Sequence, residues 1–310
     1  MPKPIVALQM DPLSSIRVES DSTFALGLEA QKRGYQLFVY TSNALSYSQG
    51  RIIARGQWVT FQDQKNDFYT AGADELLDLE KVRFVFMRQD PPFDMAYIAA
   101  THLLELLPTT VRVLNNPTGV RNAPEKLLGT LFTDLMPPTL MSWDRSLIDE
   151  FIETYGEVII KPIFDYGGNG ILAIKVGDPN LTGILEMYQK LYHTPPIIQK
   201  FLPEITYGDK RIILIDGKPV GLLKRVPPKG QIRSNMRLGG LPEACEFSKR
   251  DLEICARIGT TLKERGLYLA GIDVIGDYLT EINVTSPTGL RVIKRLYDLD
   301  LAKVFWDGLD

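Results

Sequence analysis

The stretch from Tyr268 to Gly289 reads YLAGIDVIGDYLTEINVTSPTG. Two runs, Tyr268 to Ile275 and Tyr278 to Val284, are rich in β-branched and aromatic residues and flank Gly276-Asp277, so they predict a β-hairpin. Side chains alternate faces along a strand, which puts Glu281 and Asn283 on one face. With Gly276 and Asp277 alone in the loop, Ile272 would sit opposite Glu281 and the apolar stripe would be broken. A three-residue loop, Gly276 to Tyr278, instead pairs Val274 with Thr280, Ile272 with Ile282 and Ala270 with Val284. The same register sets Asp273 opposite Glu281, with Asn283 two residues along, so apolar matching and the acidic cluster select one pairing. Either an odd-length loop or a bulge satisfies it; a plain two-residue turn does not.

Two carboxylates and an amide oxygen form a hard, oxygen-only set. Asp273, Glu281 and Asn283 therefore suit Mg²⁺ or Mn²⁺ completed by water and substrate phosphates, and suit zinc or copper poorly. A solvated sheet face would use the same residues, and the pattern alone leaves both readings open.

At 310 residues and 45% hydrophobic composition, the chain has the length of roughly two average domains and ample material for a core. A net charge of -3 gives no general attraction to nucleic acid or to an anionic membrane, and no apolar run approaches the ~20 residues of a membrane span. The N-terminal apolar run, Ile5 to Met10, is too short for a signal-peptide core, so a cytoplasmic location is expected. Cys245 and Cys255 alone make neither a disulfide framework nor a zinc pattern.

An α/β fold is predicted. Pro4 to Met10 reads as a strand, Asp21 as a helix N-cap, Ser22 to Arg33 as a helix closed by Gly34, and Tyr35 to Thr41 as the next strand. A strand at Val82 to Met87, a helix from Asp94 to Leu107 and a strand at Val111 to Leu114 complete an N-terminal open α/β domain over residues 1–122. Its first turn lacks G-x-G-x-x-G, so a dinucleotide site has no support. Residues 123–196 form a second unit and residues 197–310 a third, mostly β.

Several segments carry chemistry. The strand Glu157 to Ile160 runs into Lys161-Pro162 and then Phe164-Asp165-Tyr166-Gly167-Gly168-Asn169-Gly170. Glycines let backbone amides approach phosphate oxygens, and a lysine at a strand end supplies a point charge, although an ordinary hairpin turn explains the glycines equally well. Ile197 to Pro203 is an apolar strand ending in proline; it suits a linker between lobes, and an ordinary sheet strand more simply. From Lys224 to Arg237 the chain reads KRVPPKGQIRSNMR, with five basic residues and no acidic one, and its prolines and glycine predict a loop. Lacking an aromatic residue for base stacking, that loop fits the phosphates and carboxylates of a small substrate better than single-stranded nucleic acid.

These segments together resemble the ATP-grasp ligases and, within them, the bacterial glutathione synthetase family. Matching stretches are Met10-Asp11-Pro12, Leu28 to Gln31 with Arg33-Gly34-Tyr35, Met87-Arg88 with Asp90 to Asp94, Glu125-Lys126-Leu127, Lys161-Pro162 with Gly167-Gly168, Gly208 to Arg211, Arg225 with Arg233 and Asn235, and TEINVTSPT from Thr280 to Thr288. The resemblance implies a two-lobed ATP-grasp domain after the N-terminal domain, with residues 123–196 as central lobe and 197–310 as C-terminal lobe. It implies ligation of γ-glutamylcysteine to glycine with ATP, through an acyl phosphate, with Mg²⁺ or Mn²⁺ as cofactor; small-molecule substrates, no nucleic acid and no membrane are the expected partners, and a homo-oligomer is the expected assembly. Other carboxylate-amine ligases of the superfamily, or a non-catalytic nucleotide-binding module, are the alternatives.

Residue roles follow from the same resemblance. Lys126 and Lys161, with Gly167 and Gly168, would meet the ATP phosphates; Gln199, Lys200, Phe201 and Leu202 would hold adenine, and Asp209 the ribose. Arg211, Arg225 and Arg233 would act on substrate carboxylates or the acyl phosphate, with Asn235 and Ser286 also binding substrate, and Asp273, Glu281 and Asn283 would hold the metal. The bulky Tyr166, Ser234 and Arg237 depart from the smaller residues expected there.

Overall fold

The protein is described by a computed structural model over residues 3–309. Strand β1 (Ile5–Gln9) is buried along almost its whole length, as expected for a parallel strand covered on both faces. Helix α1 (Ser22–Lys32) begins at Asp21, whose carboxylate accepts a hydrogen bond from the Phe24 amide at 2.7 Å, and the chain turns at Gly34 into β2 (Gln36–Tyr40). The next three strands, β3 (Leu45–Ser48), β4 (Arg51–Phe61) and β5 (Tyr69–Asp78), are antiparallel additions that the sequence reading passes over. Then come β6 (Phe84–Met87), α2 (Met95–Glu105), β7 (Arg112–Leu114) and the short α3 (Pro117–Arg121).

The sheet runs β3-β4-β2-β1-β6-β7, with β5 on β4. Strand β1 pairs in parallel with β2 on one side and β6 on the other. The chain therefore leaves β1 in one direction and later returns in the other. Beyond the carboxyl ends of β1 and β6 lies a topological switch point, where open α/β sheets form ligand crevices.

The central unit holds β8 (Thr139–Met141), α4 (Arg145–Tyr155), β9 (Glu157–Lys161), β10 (Leu172–Lys175), α5 (Leu181–Tyr192) and β11 (Ile197–Lys200). Its antiparallel sheet has the order β10-β9-β11-β8, closed by a core that includes Ile148, Ile152, Ile160 and Tyr188. Strand β11 pairs with both β8 and β9, so the segment expected to open the C-terminal lobe at residue 197 completes the central sheet instead.

The last unit comprises β12 (Asp209–Ile215), β13 (Lys218–Val226), β14 (Leu241–Glu243), α6 (Lys249–Glu264), β15 (Leu269–Ile275), β16 (Tyr278–Asn283), α7 (Leu290–Tyr297) and α8 (Leu301–Asp307). It is mixed rather than mostly β. Period-two alternation along β12 divides the core: Ile212 and Leu214 join Ile254 and Ile258 of α6, whereas Ile213 and Ile215 join Ile293, Phe305 and Trp306 of α7 and α8. Trp306 is fully buried and its indole N–H donates to Leu26 O in α1 at 3.0 Å, so the chain's last helix is packed into the first domain.

The hairpin of β15 and β16 forms in the expected register at the decisive pair, Asp273 opposite Glu281, with Ile272 opposite Ile282. The loop differs from expectation. Ile275 pairs with Tyr278 and Val274 with Leu279, so the connection is the two-residue turn Gly276-Asp277, and Thr280 is the extra residue of a β-bulge rather than the partner of Val274. The Thr280 hydroxyl donates to Asp273 O at 3.1 Å across this bulge. Turn chemistry favours two residues, Gly276 adopting φ +56°, and the bulge restores the register that burial demands.

Candidate active site

On one face of the five-stranded sheet, order β14-β13-β12-β15-β16, the charged residues line up across the strands. Asp209 of β12 lies opposite Arg225 of β13, and Arg211 of β12 opposite Asp273 of β15, which in turn faces Glu281 of β16. Residues 209 and 211 share a face because side chains alternate. The Arg211 guanidinium donates to both Asp273 oxygens, at 2.5 and 3.0 Å. Arg225 donates to both oxygens of Asp209, from Nε at 2.9 Å, and its Nη2 also lies 3.0 Å from Asp273 Oδ1. Both arginines and both aspartates are buried, and the alternation of sign offsets the cost of burying each charge. The predicted basic loop is shorter than expected at its start, since Lys224 and Arg225 belong to β13.

Glu281 is the member without a donor. Among the described residues no group hydrogen-bonds its carboxylate, and desolvation pushes its pKa up to about 7 against the lowering field of Lys126. Asn283 lies beside it, its amide 3.3 Å from Asp273 Oδ2. Groups of three or more His, Cys, Asp or Glu side chains placed for a metal are absent among the described residues, so any cation here rests on two carboxylates and an amide.

Above this face a cleft with an empty volume of about 1040 Å³ separates the central sheet from the C-terminal sheet. It gathers Lys126, Lys161, Gly167, Gly168, Gln199 to Leu202, Asp209, Arg211, Arg225, Arg233, Asn235, Asp273, Glu281 and Asn283, residues that lie far apart in the chain. Of the residues singled out from the sequence, Ser286 and Arg237 lie outside it and line the neighbouring cavity. The Lys161 ammonium reaches Gln199 Oε1 at 3.1 Å and Thr280 O at 3.4 Å; burial lowers its pKa to about 8, with Glu281 opposing and Lys126 adding to the shift. Lys126 donates to Pro162 O at 2.9 Å and also to Asp165 O, so it holds the root of the glycine loop.

The two loops over the cleft touch one another. A Cβ built on Gly168, at φ +86°, would meet Leu238 at 3.1 Å and the Arg233 side chain at 3.5 Å, so only glycine fits this approach. Tyr166 lines the same cleft, Ser234 is buried, and Arg237 ion-pairs with Asp90 of the first domain.

A second cavity adjoins the first and shares Glu125, Tyr166, Gly167, Arg211, Asn235 and Asn283 with it. Its other wall is the switch point of the first sheet, formed by Met10 to Pro12, Asp21 to Thr23, Arg88 and Asp90, with Thr285, Ser286 and Thr288 completing it. Ser286 belongs here, its hydroxyl 3.2 Å from Arg88 O. Glu125 ties the cavities together by accepting from the Val284 and Thr285 amides and the Thr285 hydroxyl. Sequence reading names Asp11, Arg88 and Glu125 without giving them roles. Their signal is positional, since they follow strand ends or abut a lysine, and such loops carry no periodicity.

Comparison with known proteins agrees with this architecture. The family described as prokaryotic glutathione synthetase, ATP-grasp domain, matches residues 125–298, and prokaryotic glutathione synthetase, N-terminal domain, matches residues 5–121. The glutathione synthetase of Brucella melitensis is 50% identical over 305 residues, covering 98% of each chain. That of Mesorhizobium japonicum is 48% identical over 305 residues, covering 98% of this chain and 97% of its own. Among solved structures, D-cycloserine synthetase superposes with a TM-score of 0.67 at 12% identity, covering 99% of this chain and 100% of its own. D-alanyl-alanine synthetase A from Vibrio cholerae gives 0.63 at 14% identity, covering 100% and 99%. Likeness at those identities establishes a shared fold.

Proposed function

The chain belongs to the prokaryotic glutathione synthetase family, an ATP-dependent ligase family, and from that premise we propose that it joins γ-glutamylcysteine to glycine, yielding glutathione, ADP and phosphate. The observation that carries this reading is the convergence of two lysines, a glycine loop and a donor-free carboxylate on one cleft that opens into a second, charge-lined cavity. A carboxylate resists attack by an amine. Transfer of the ATP γ-phosphoryl group to the cysteinyl carboxylate turns it into an acyl phosphate, and the glycine nitrogen then displaces phosphate. The protein's work is positioning and charge neutralisation, not nucleophilic catalysis.

In this reading Lys126 and Lys161 meet the phosphates, with the Gly167-Gly168 backbone against them, and Gln199 to Leu202 hold the adenine at the lobe junction. Asp209 contributes to the ribose side while anchoring Arg225. Arg211, Arg225 and Arg233 offset charge on the reacting carboxylate and the acyl phosphate, with Asn235 beside them. The donor set fits a divalent cation. Glu281, Asn283 and Asp273 offer only oxygen ligands at adjoining positions, and Glu281 is a partly buried carboxylate with no donor. Such an ion, Mg²⁺ or Mn²⁺, supplies charge neutralisation at the phosphates when bound. Water would hydrolyse an acyl phosphate, so contact between the glycine loop and the Arg233 loop supports a closing role for both.

ADP release tests the function. With γ-glutamylcysteine, glycine, ATP and magnesium all present, steady ADP formation is expected, and omission of the dipeptide or the metal should abolish it. Equal rates with β-alanine in place of glycine, or with unrelated dipeptides, would point to another ligase of the same superfamily. Binding of ATP with no ADP release under any condition would point to a non-catalytic module. Arg233→Ala is expected to lower kcat by on the order of 100-fold while leaving ATP affinity within about threefold, because removing one charge-stabilising donor costs about that much. An unchanged kcat would count against the lid role.

A further inference from the structure

The first-domain turn Asp90-Pro91-Pro92-Phe93 meets both loops that cover the cleft. Asp90 pairs with Arg237 of the Arg233 loop, and the Phe93 ring stacks on Phe164 at the root of the glycine loop, with centroids 6.2 Å apart and planes 16° from parallel. The turn itself is stiff. Its two prolines fix φ, the Asp90 amide donates to Asp11 Oδ2 at 2.8 Å, and Asp94 Oδ1 accepts from the Tyr97 amide at 2.9 Å to start α2. Tyr97 also holds the Phe93 ring, at a centroid distance of 5.1 Å.

What docks on this turn is rigidly tied to the site. Asn235 Oδ1 accepts from the Arg237 amide at 2.8 Å, and Asn235 O accepts from the Leu238 and Gly240 amides at 2.9 and 3.2 Å, so residues 235–240 form one compact unit. Met236, between the two, packs against the core that the first domain shares with α7 and α8. Anchoring Arg237 therefore places Asn235, which lines both cavities, and Arg233 just before it. Phe164 in turn precedes Asp165, whose backbone oxygen accepts from Lys126, so the stacked ring fixes the root of the glycine loop. The loops meet each other where Gly168 approaches Leu238 and Arg233. Three contacts thus close a triangle of two loops and one turn.

We infer that the turn from Asp90 to Phe93 is a docking platform that makes the two loops close as one, with Arg237 the positioning residue that brings Arg233 and Asn235 over the cleft. This rests on the closing role proposed above and assigns the first domain a part in it. Arg237 stands where the family pattern leads to a small residue, which could form no such ion pair. Each contact is weak by itself: a partly exposed ion pair shifts an equilibrium about two- to fivefold, and a stacked ring pair by a similar factor. Weak anchors suit loops that must reopen to release product. Because the loops also touch one another, loss of either anchor opens both.

Two proteases report on the loops separately: trypsin cuts the Arg233 loop after Lys229 and Arg233, and chymotrypsin cuts the glycine loop after Phe164 and Tyr166. Cleavage of a segment that opens and recloses quickly tracks its open population. Asp90→Asn and Phe93→Leu are each expected to speed cleavage of both loops about two- to fivefold, measured with and without magnesium and the ATP analogue AMPPNP. The charge exchange of Asp90→Arg with Arg237→Asp should restore wild-type rates, which a misfolded protein could not do; Pro91 keeps trypsin from cutting after the new arginine. Loops that open during turnover admit water, which returns the acyl phosphate to carboxylate and phosphate, so both single variants should form more ADP per glutathione than the wild type while the KM for ATP stays unchanged. Cleavage unchanged in both single variants, acceleration confined to the loop whose own anchor was removed, or an exchange variant as open as Asp90→Asn overturns the inference. A wild type that releases no ADP with γ-glutamylcysteine would overturn the proposed function alone, and the two cleavage rates would still decide the docking.

Discussion

Glu281→Gln is expected to lower kcat by on the order of 1000-fold at saturating ATP and to shift the magnesium titration to much higher concentration, the loss of a metal-borne charge at a phosphoryl-transfer centre being worth several kcal/mol. The substitution keeps the shape of the side chain and removes only its charge. The Glu281 carboxylate accepts no hydrogen bond from any described residue, so its replacement breaks none. It should even relieve a cost, since burial already pushes this carboxyl up to about 7, and the folded protein should be as stable as wild type near neutral pH or slightly more so. Lost activity with retained or increased stability is the signature of a group kept for a ligand rather than for the fold. A normal magnesium titration in Glu281→Gln would remove Glu281 from the metal set. A large loss of stability would instead make it a structural residue.

The legibility of this site in the sequence follows from what each part depends on. The Asp273–Glu281 pairing is readable because strand periodicity and core burial constrain it together, and a one-residue slip would turn Ile272 and Ile282 out of the core. The means of reaching that register, a bulge at Thr280, is not readable, since turn length and bulge exchange freely so long as the register is kept. The antiparallel addition of β3 to β5 escapes for another reason. Strand β5, YTAGADELLD, is exposed over most of its length, so burial imposes no alternation on it. The role of β11 is hidden because an apolar strand reads the same whichever sheet it joins. The hydrogen bonds of Arg88 can be seen only when three separate segments are brought together, for its partners Thr23 and Pro287 are 65 and 199 residues away.

Asp273→Asn is expected to destabilise the protein by about 3–5 kcal/mol at neutral pH, besides abolishing ligation, because it strips the shared anion from two buried guanidinium groups. Asp273 receives both donors of Arg211 and one from Arg225, whereas among the described residues the one cation on Asp209 is Arg225. Asp209→Asn leaves Arg225 still in contact with Asp273, and should cost less. The pair of variants therefore ranks the aspartates by the number of cations each one serves. Acid provides an independent measure of the same interaction. Burial alone would raise the Asp273 pKa, but the charges of Arg211 and Arg225 outweigh it and hold the carboxyl well below the usual range. A carboxyl depressed in the folded state contributes its full stability above its unfolded pKa of about 4, and loses it as the pH falls through the folded value. In urea unfolding, the wild type should then lose stability below about pH 4 more steeply than Asp273→Asn, and the gap between them should narrow as Asp273 takes up its proton. A gap that stays constant from pH 7 into the acid range would mean that Asp273 acts through packing, with its charge contributing nothing. The same titration of Arg211→Met would separate the two guanidinium groups, since Arg225 would then be the one cationic partner left to Asp273 among the described residues.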